Sequence, residues 1–246
     1  MIGISATSLS HILEYTIMPQ RNSVELKQKE ELDLASYQSY LYRLASQDPT
    51  SSDIFSNKGL AHASILMATL MANTEHKIDM YCTGLRPGIL CGRDENDPNG
   101  FKGAYWEEFK KFFSETIRSK DFPENSIRIL IQRDDWIDNA PLRLVGNALR
   151  DNSTRNKIKV KIITPESKQQ IENALGKPDN DNVNYNFSIF DDKAFRLEYE
   201  ADTYRALGSF NSSSWSKMLS KMFEDAFEKA NDITERVRNL HPYNNN

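Results

Sequence analysis

A chain of 246 residues with 39% hydrophobic side chains is long enough for one large α/β domain or two small ones, with material for a sizeable core. Its formal charge of -4 and pI near 5.7 give no basic footprint, so net charge does not indicate nucleic acid as a partner. No run reaches the roughly 18–20 apolar residues that cross a bilayer, and Ser5, Thr7, Ser8 and Ser10 break up the apolar start that a signal peptide needs; the expected setting is the cytoplasm, with no membrane partner.

Residues 24–47 carry a helical pattern, with Leu26, Leu34, Tyr37, Leu41 and Leu44 at three- to four-residue steps, ending at Asp48-Pro49. Residues 1–50 therefore read as a helical N-terminal extension that packs on the main domain or on a partner. Ala61 to Asn73 is apolar almost throughout and reads as a buried helix feeding a strand at Lys77 to Thr83. A Gly- and Pro-rich loop follows, and Tyr105, Trp106, Phe109, Phe112 and Phe113 then repeat at helical spacing. Ser126 to Gln132 is a predicted strand, Leu142 to Arg150 a helix, and Lys157 to Ile163 a strand with period-two alternation. Thr164-Pro165-Glu166 opens the next helix with an N-cap and a proline in the first turn, and Gly176 closes it.

Alternating strands and helices predict a mixed, largely parallel sheet with helices on both faces, an α/β fold. The last third changes character. Asn184 to Phe190, Ala194 to Tyr199 and Tyr204 to Phe210 are three strand-like runs with short polar joints, which predicts an antiparallel meander. An amphipathic helix from Trp215 to Ala230 ends the domain, and residues 233–246 read as a C-terminal tail. Cys82 and Cys91 lack a second pair and are expected as reduced thiols, and no cofactor motif is present.

The chemistry-bearing stretch is Asn184-Tyr185-Asn186-Phe187-Ser188-Ile189-Phe190-Asp191, followed seventeen residues later by Gly208-Ser209-Phe210-Asn211. This layout resembles the phospholipase D superfamily signature, His-x-Lys-x4-Asp and then Gly-Ser-x-Asn, with Asn at the places of the His and the Lys. The resemblance covers roughly residues 54 to 230. It includes the Ser56 to Leu85 segment and the run from Asp192 to Glu198, where Arg196 and Glu198 follow the motif strand as in one sub-branch. It implies a phospholipase D-like domain over residues 51–232 between the extension and the tail. In the family the His attacks phosphorus and the Lys neutralises phosphoryl oxygens. An Asn amide nitrogen delocalises its lone pair and carries no charge, so Asn184 and Asn186 can do neither.

The resemblance thus implies a catalytically degenerate protein acting as a binding or regulatory subunit, in a setting such as a bacterial nuclease or phage-defence system. One motif copy and no internal repeat imply a homodimer with facing motifs, and a protein partner subunit also fits. Asn184, Asn186, Asp191, Ser209 and Asn211 are the candidate binding residues, on the expectation that the Gly208 to Asn211 turn lies beside Asn184 and Asn186. Two readings stand for them: a residual ligand site, or polar groups that satisfy one another. An alternative function is an active phosphodiesterase or nuclease with a non-standard site, for which His62, Asp191 and Glu198 are the catalytic candidates. Another is a scaffold that recruits a partner through the helix at residues 24 to 47.

Other features weigh less. Asp191-Asp192-Lys193 has the ordinary composition of a solvated hairpin turn, so no metal site is assigned to it. Arg196 and Glu198, two apart on a strand, share a sheet face and suit a cross-strand or buried ion pair. His62 sits on an apolar helix as a core histidine would, and no His pair has ligand spacing.

Overall fold

The structure is a computed structural model that describes residues 34–46, 52–57, 59–85, 103–119, 121–176, 185–200 and 204–243. Eight strands form one sheet in the order β1-β7-β6-β5-β2-β3-β4-β8. They are β1 (Phe55–Asn57), β2 (Ile78–Cys82), β3 (Ile127–Ile131), β4 (Ile158–Ile162), β5 (Asn186–Phe190), β6 (Ala194–Glu200), β7 (Arg205–Ser209) and β8 (Asn231–Asp232). The helices are α1 (Leu34–Ser46), α2 (Leu60–Ala72), α3 (Ala104–Lys111), α4 (Ala140–Arg150), α5 (Pro165–Ala174), α6 (Ser213–Lys229) and α7 (Thr234–Arg238). Helix α3 runs on through a π-helical segment (Phe112–Thr116) into a last α-helical turn (Ile117–Ser119).

The sheet is mixed, but the expectation that it is largely parallel is wrong. Only β2 with β3 and β3 with β4 pair in parallel, and the other five pairings are antiparallel. Crossovers through α3 and α4 bring β2, β3 and β4 side by side in one direction. The chain then passes through α5, and β5 enters on the far side of β2 in the opposite direction, so the meander extends the sheet antiparallel. Two short edge strands complete it. Three residues of β1 and two polar residues of β8 carry too little alternation to be read from sequence.

Helices cover both faces. On one, α1, α2, α3, α4 and α7 bury residues such as Leu41, Leu66, Phe109, Val145 and Val237 against Ile78, Met80, Ile129 and Val160. On the other, α5 and α6 pack Ile171, Leu219 and Phe223 on Tyr81, Leu130, Phe187 and Leu197. Helix α1 does not stand off the body, since Tyr37, Leu41 and Leu44 lie in the first of these cores; residues 1–33 lie outside the described ones. The stretch expected as a tail also carries structure. Val237 of α7 is buried, and its carbonyl approaches α4 so closely that a Cβ on Gly146 would sit 2.6 Å from it. Gly146 is what lets these two helices touch.

A buried charge network ties the sheet to α6. Asp79, fully buried on β2, accepts from Arg128 Nε at 2.7 Å and Nη2 at 2.9 Å, and Lys77 Nζ lies 3.3 Å away. Arg128 also reaches Glu224 of α6 at 2.7 Å and lies over the rings of Phe223 and Phe227. Each charge has opposite partners, which is the condition under which buried ions are tolerated.

Candidate functional site

The β5–β6 hairpin carries or borders the described residues that the sequence singled out, His62 of α2 excepted, and it sorts them by its two ends. Phe190, Asp191, Asp192 and Lys193 form the turn, with Lys193 N donating to Phe190 O at 3.2 Å. Asp191 and Asp192 take φ of 51° and 57°, the pair of left-handed positions a tight hairpin turn demands and Asp tolerates. The Asp191 carboxylate then accepts from the backbone N–H groups of Glu75, His76 and Lys77 at 2.8 to 2.9 Å. It anchors the entry to β2. Asp192 pairs with Lys77 Nζ at 2.8 Å. Burial opposes the charge on Lys77, but the Asp192 hydrogen bond and the charges of Asp79 and Asp192 outweigh it and raise its pKa.

At the open end, Asn186 pairs with Glu198 across the hairpin. Asn186 Oδ1 accepts from Thr83 N at 2.8 Å and Thr83 Oγ1 at 3.0 Å, and Asn186 Nδ2 donates to Glu198 Oε1 at 2.8 Å. Glu198 Oε2 lies 2.9 Å from Arg196 Nη1, with the two side chains 1% and 6% exposed. This contact is ionic and lacks the alignment of a hydrogen bond. Glu198 Oε2 and Arg196 Nε are therefore buried with no hydrogen-bond partner, as is Oε1 of Gln132, whose Nε2 donates to Tyr185 O at 2.7 Å. Arg196 Nη2 donates to Tyr204 O at 3.3 Å, and Asn57 Nδ2 donates to the same carbonyl. Tyr204 has a φ of 57°, a left-handed backbone that a bulky side chain disfavours.

Of these groups Thr83, Asn186, Arg196 and Glu198 line a cavity of about 60 Å³ together with Ser188, Cys82, Met67, Met80, Leu85 and Tyr105. A single water needs only ~10–15 Å³ of such space, so the cavity admits more than one. Thr83 of its wall follows β2, so it lies at the carboxyl end of a parallel strand, where ligand sites in α/β sheets form. Leu85, at its rim, has a φ of 50°. Burial pushes the Cys82 thiol up to about 12, against backbone hydrogen bonds from Leu85 and Gly84 that pull it down. Burial likewise raises the Tyr105 hydroxyl.

The candidate binding residues are not brought together. Asn184 lies outside the described residues. Asn186 is at the cavity, but Ser209 and Asn211 are at the turn end: Ser209 pairs with Phe195, and Lys193 O accepts from Ser212 N at 2.8 Å. Ser209 also follows Phe195 onto the α6 face, opposite Asn186. Its hydroxyl accepts from Asn211 N at 3.3 Å. An antiparallel hairpin forces this, because the residue beside the start of β5 is the end of β6, and β7 returns toward the turn. Of the catalytic candidates, Glu198 is in the cavity wall and Asp191 is in the turn. The His62 ring lies against that of Tyr37, with centroids 4.4 Å apart and planes tilted by 39°, and does not line the cavity. Sequence reading missed Arg196, Thr83 and Ser188 as cavity residues. The predicted turn at Asp191-Asp192-Lys193 already places Glu198 opposite Asn186 and Arg196 opposite Ser188 once the strands are paired from it. Among the described residues, no three His, Cys, Asp or Glu side chains converge as a metal site, and no helix is long and apolar enough to cross a membrane.

No protein-family profile matches the chain. No curated protein matches it in sequence. Among solved structures it is similar to TrmBL2, described as an archaeal chromatin protein with a novel mode of DNA binding, at a TM-score of 0.40 and 10% identity. That likeness covers 80% of this chain, which spans only 61% of the TrmBL2 chain. It is also similar to Nuc, a phospholipase D family member from Salmonella typhimurium, at a TM-score of 0.43 and 11% identity, over 73% of this chain and 98% of that one. Both are likenesses of overall shape at low identity.

Proposed function

We propose that the chain is a catalytically degenerate phospholipase D-like protein that acts as a dimeric binding or regulatory subunit, with the cavity at the open end of the β5–β6 hairpin as its ligand site. The observation that carries this reading is the chemistry around residue 186. Where the motif of the resembling family has a lysine, Asn186 is uncharged and spends both ends of its amide on Thr83 and Glu198. Among the described residues of the cavity wall the cation is Arg196, and it lies against Glu198, which offsets its charge. Phosphoryl transfer rests on cationic stabilisation of developing negative charge, and such a wall supplies little. The Cys82 thiol of the wall is no better suited as a nucleophile. Cys82, held near 12, stays protonated at neutral pH.

Two measurements test the reading. Sedimentation at micromolar protein is expected to give twice the 28.3 kDa chain mass. Incubation with bis-p-nitrophenyl phosphate, single- and double-stranded DNA and RNA, with and without Mg²⁺, is expected to give no turnover. Turnover that disappears in Glu198→Gln or His62→Ala would replace this reading with that of an active phosphodiesterase.

A further inference from the structure

We infer that the cavity takes the uncharged, hydrogen-bonding end of a small apolar molecule, such as the hydroxyl of a branched alcohol, on the free hydroxyls of its wall, and refuses ions of either sign; the inference rests on the reading of this cavity as a ligand site. The polar groups of the wall divide into those already used and those still free. Asn186 spends its amide on Thr83 and Glu198, and the Thr83 hydroxyl donates to Asn186. Arg196 and Glu198 face each other, and their unpaired Nε and Oε2 are closed off, so no ligand reaches those atoms without moving the wall. Among the described residues neither the Tyr105 hydroxyl nor that of Ser188 is hydrogen-bonded, and neither is closed off in this way, so both remain open to the cavity they line.

Tyr105 is only 4% exposed, and the Cys82 thiol and the charges of Arg196 and Glu198 act on its hydroxyl, which places that hydroxyl at the inner wall. Burial keeps it neutral, with its proton in place to donate. Ser188 is half-buried on β5, opposite Arg196 on one side and Met80 on the other. Each hydroxyl donates or accepts, so either takes the oxygen of a neutral ligand. Met67, Met80 and Leu85 supply apolar surface around them, and thioethers adapt to irregular apolar shapes. An ion fits poorly. It gives up its water on entry, and neutral hydroxyls repay little of that cost while the charged groups of the wall are taken by each other. The space of about 60 Å³ exceeds the ~10–15 Å³ of one water and falls short of the roughly 150 Å³ of a cavity that encloses benzene. It suits the small head of a molecule whose body projects outward.

Isobutanol, isobutyrate and isobutylamine test the inference because they share one branched skeleton and are neutral, anionic and cationic at neutral pH. Titration of the full-length chain carrying ¹³C-methyl methionine is expected to shift the Met67 and Met80 methyl signals with isobutanol, which binds at least about tenfold tighter than either ion. Tyr105→Phe combined with Ser188→Ala removes both hydroxyls and is expected to weaken isobutanol binding about three- to tenfold, with Tm recorded to confirm folding. The wild-type comparison stands even if that variant does not fold. An ion that binds as tightly as isobutanol, or a folded double variant that binds isobutanol as well as the wild type does, would overturn the inference while leaving the cavity as a ligand site. Unmoved Met67 and Met80 signals with all three compounds at up to about 100 mM would overturn the inference and the ligand-site reading together.

Discussion

The two ends of one hairpin carry polar groups of the same kinds with opposite fates. At the turn, Asp191 satisfies three backbone N–H groups and Asp192 pairs with Lys77, so these acids hold β2 and the meander in register. At the open end, Arg196 and Glu198 are more deeply buried, yet each keeps an atom without a hydrogen bond beside a cavity. Buried polar atoms left unpaired cost stability, and a fold retains them beside its functional sites. Matching a motif letter therefore says less about function than how fully the residue is used by its own chain.

That contrast can be broken or sharpened by substitution. The largest effect is expected next to the turn end, in the network that Lys77 links to Asp192. Asp79→Ala leaves Arg128 and Lys77 without their buried counter-ion, and urea unfolding is expected to show a loss of ~3–5 kcal/mol. Asp191→Ala removes the acceptor of three N–H groups and puts Ala at a left-handed position, for a loss of about 2–3 kcal/mol with no change in ligand titrations. If Asp191→Ala abolished ligand binding without lowering stability, the division between the two ends would be wrong.

At the open end the expected balance is reversed. Replacing Arg196 and Glu198 together with Met and Leu removes both charges at once, and the cost is expected to stay within about 1–2 kcal/mol, chiefly from the Asn186 amide losing its acceptor. Ligand binding is expected to weaken in the same protein, because both side chains line the cavity. A loss as large as that of Asp79→Ala would show the pair to be structural after all.

The smallest effect on stability concerns Cys82. Its pKa is raised in the fold to about 12 from an ordinary 9.0, so its contribution to stability is complete below about pH 9 and is lost as pH rises through the folded value. In a Cys91→Ser background, Cys82 is expected to react with a thiol reagent at pH 8 far more slowly in the native than in the urea-unfolded chain. Equal rates would mean that the cavity floor is open to water.

The sequence alone determined the long elements. Apolar spacing or apolar runs located α1, α2, α3, α4 and α6, strand-like runs located β2 to β7 with period-two alternation in β4, and Thr164-Pro165 announced the start of α5, where the Thr164 hydroxyl accepts from Ser167 N. Those signals are local, written in side-chain period and cap chemistry. The antiparallel meander β5–β6–β7 was legible from its short joints, but its docking beside β2, the short edges β1 and β8, and the docking of α7 against Gly146 were not, because each depends on which distant segment lies alongside. The site divides in the same way. The sequence marked Asn186 and the Arg196–Glu198 pair, but only the tertiary structure joined them to Thr83 and Gln132 and moved Ser209 and Asn211 to the far end. A strand's neighbours are set by register across the sheet, and register is a property of the assembled chain rather than of any stretch of it.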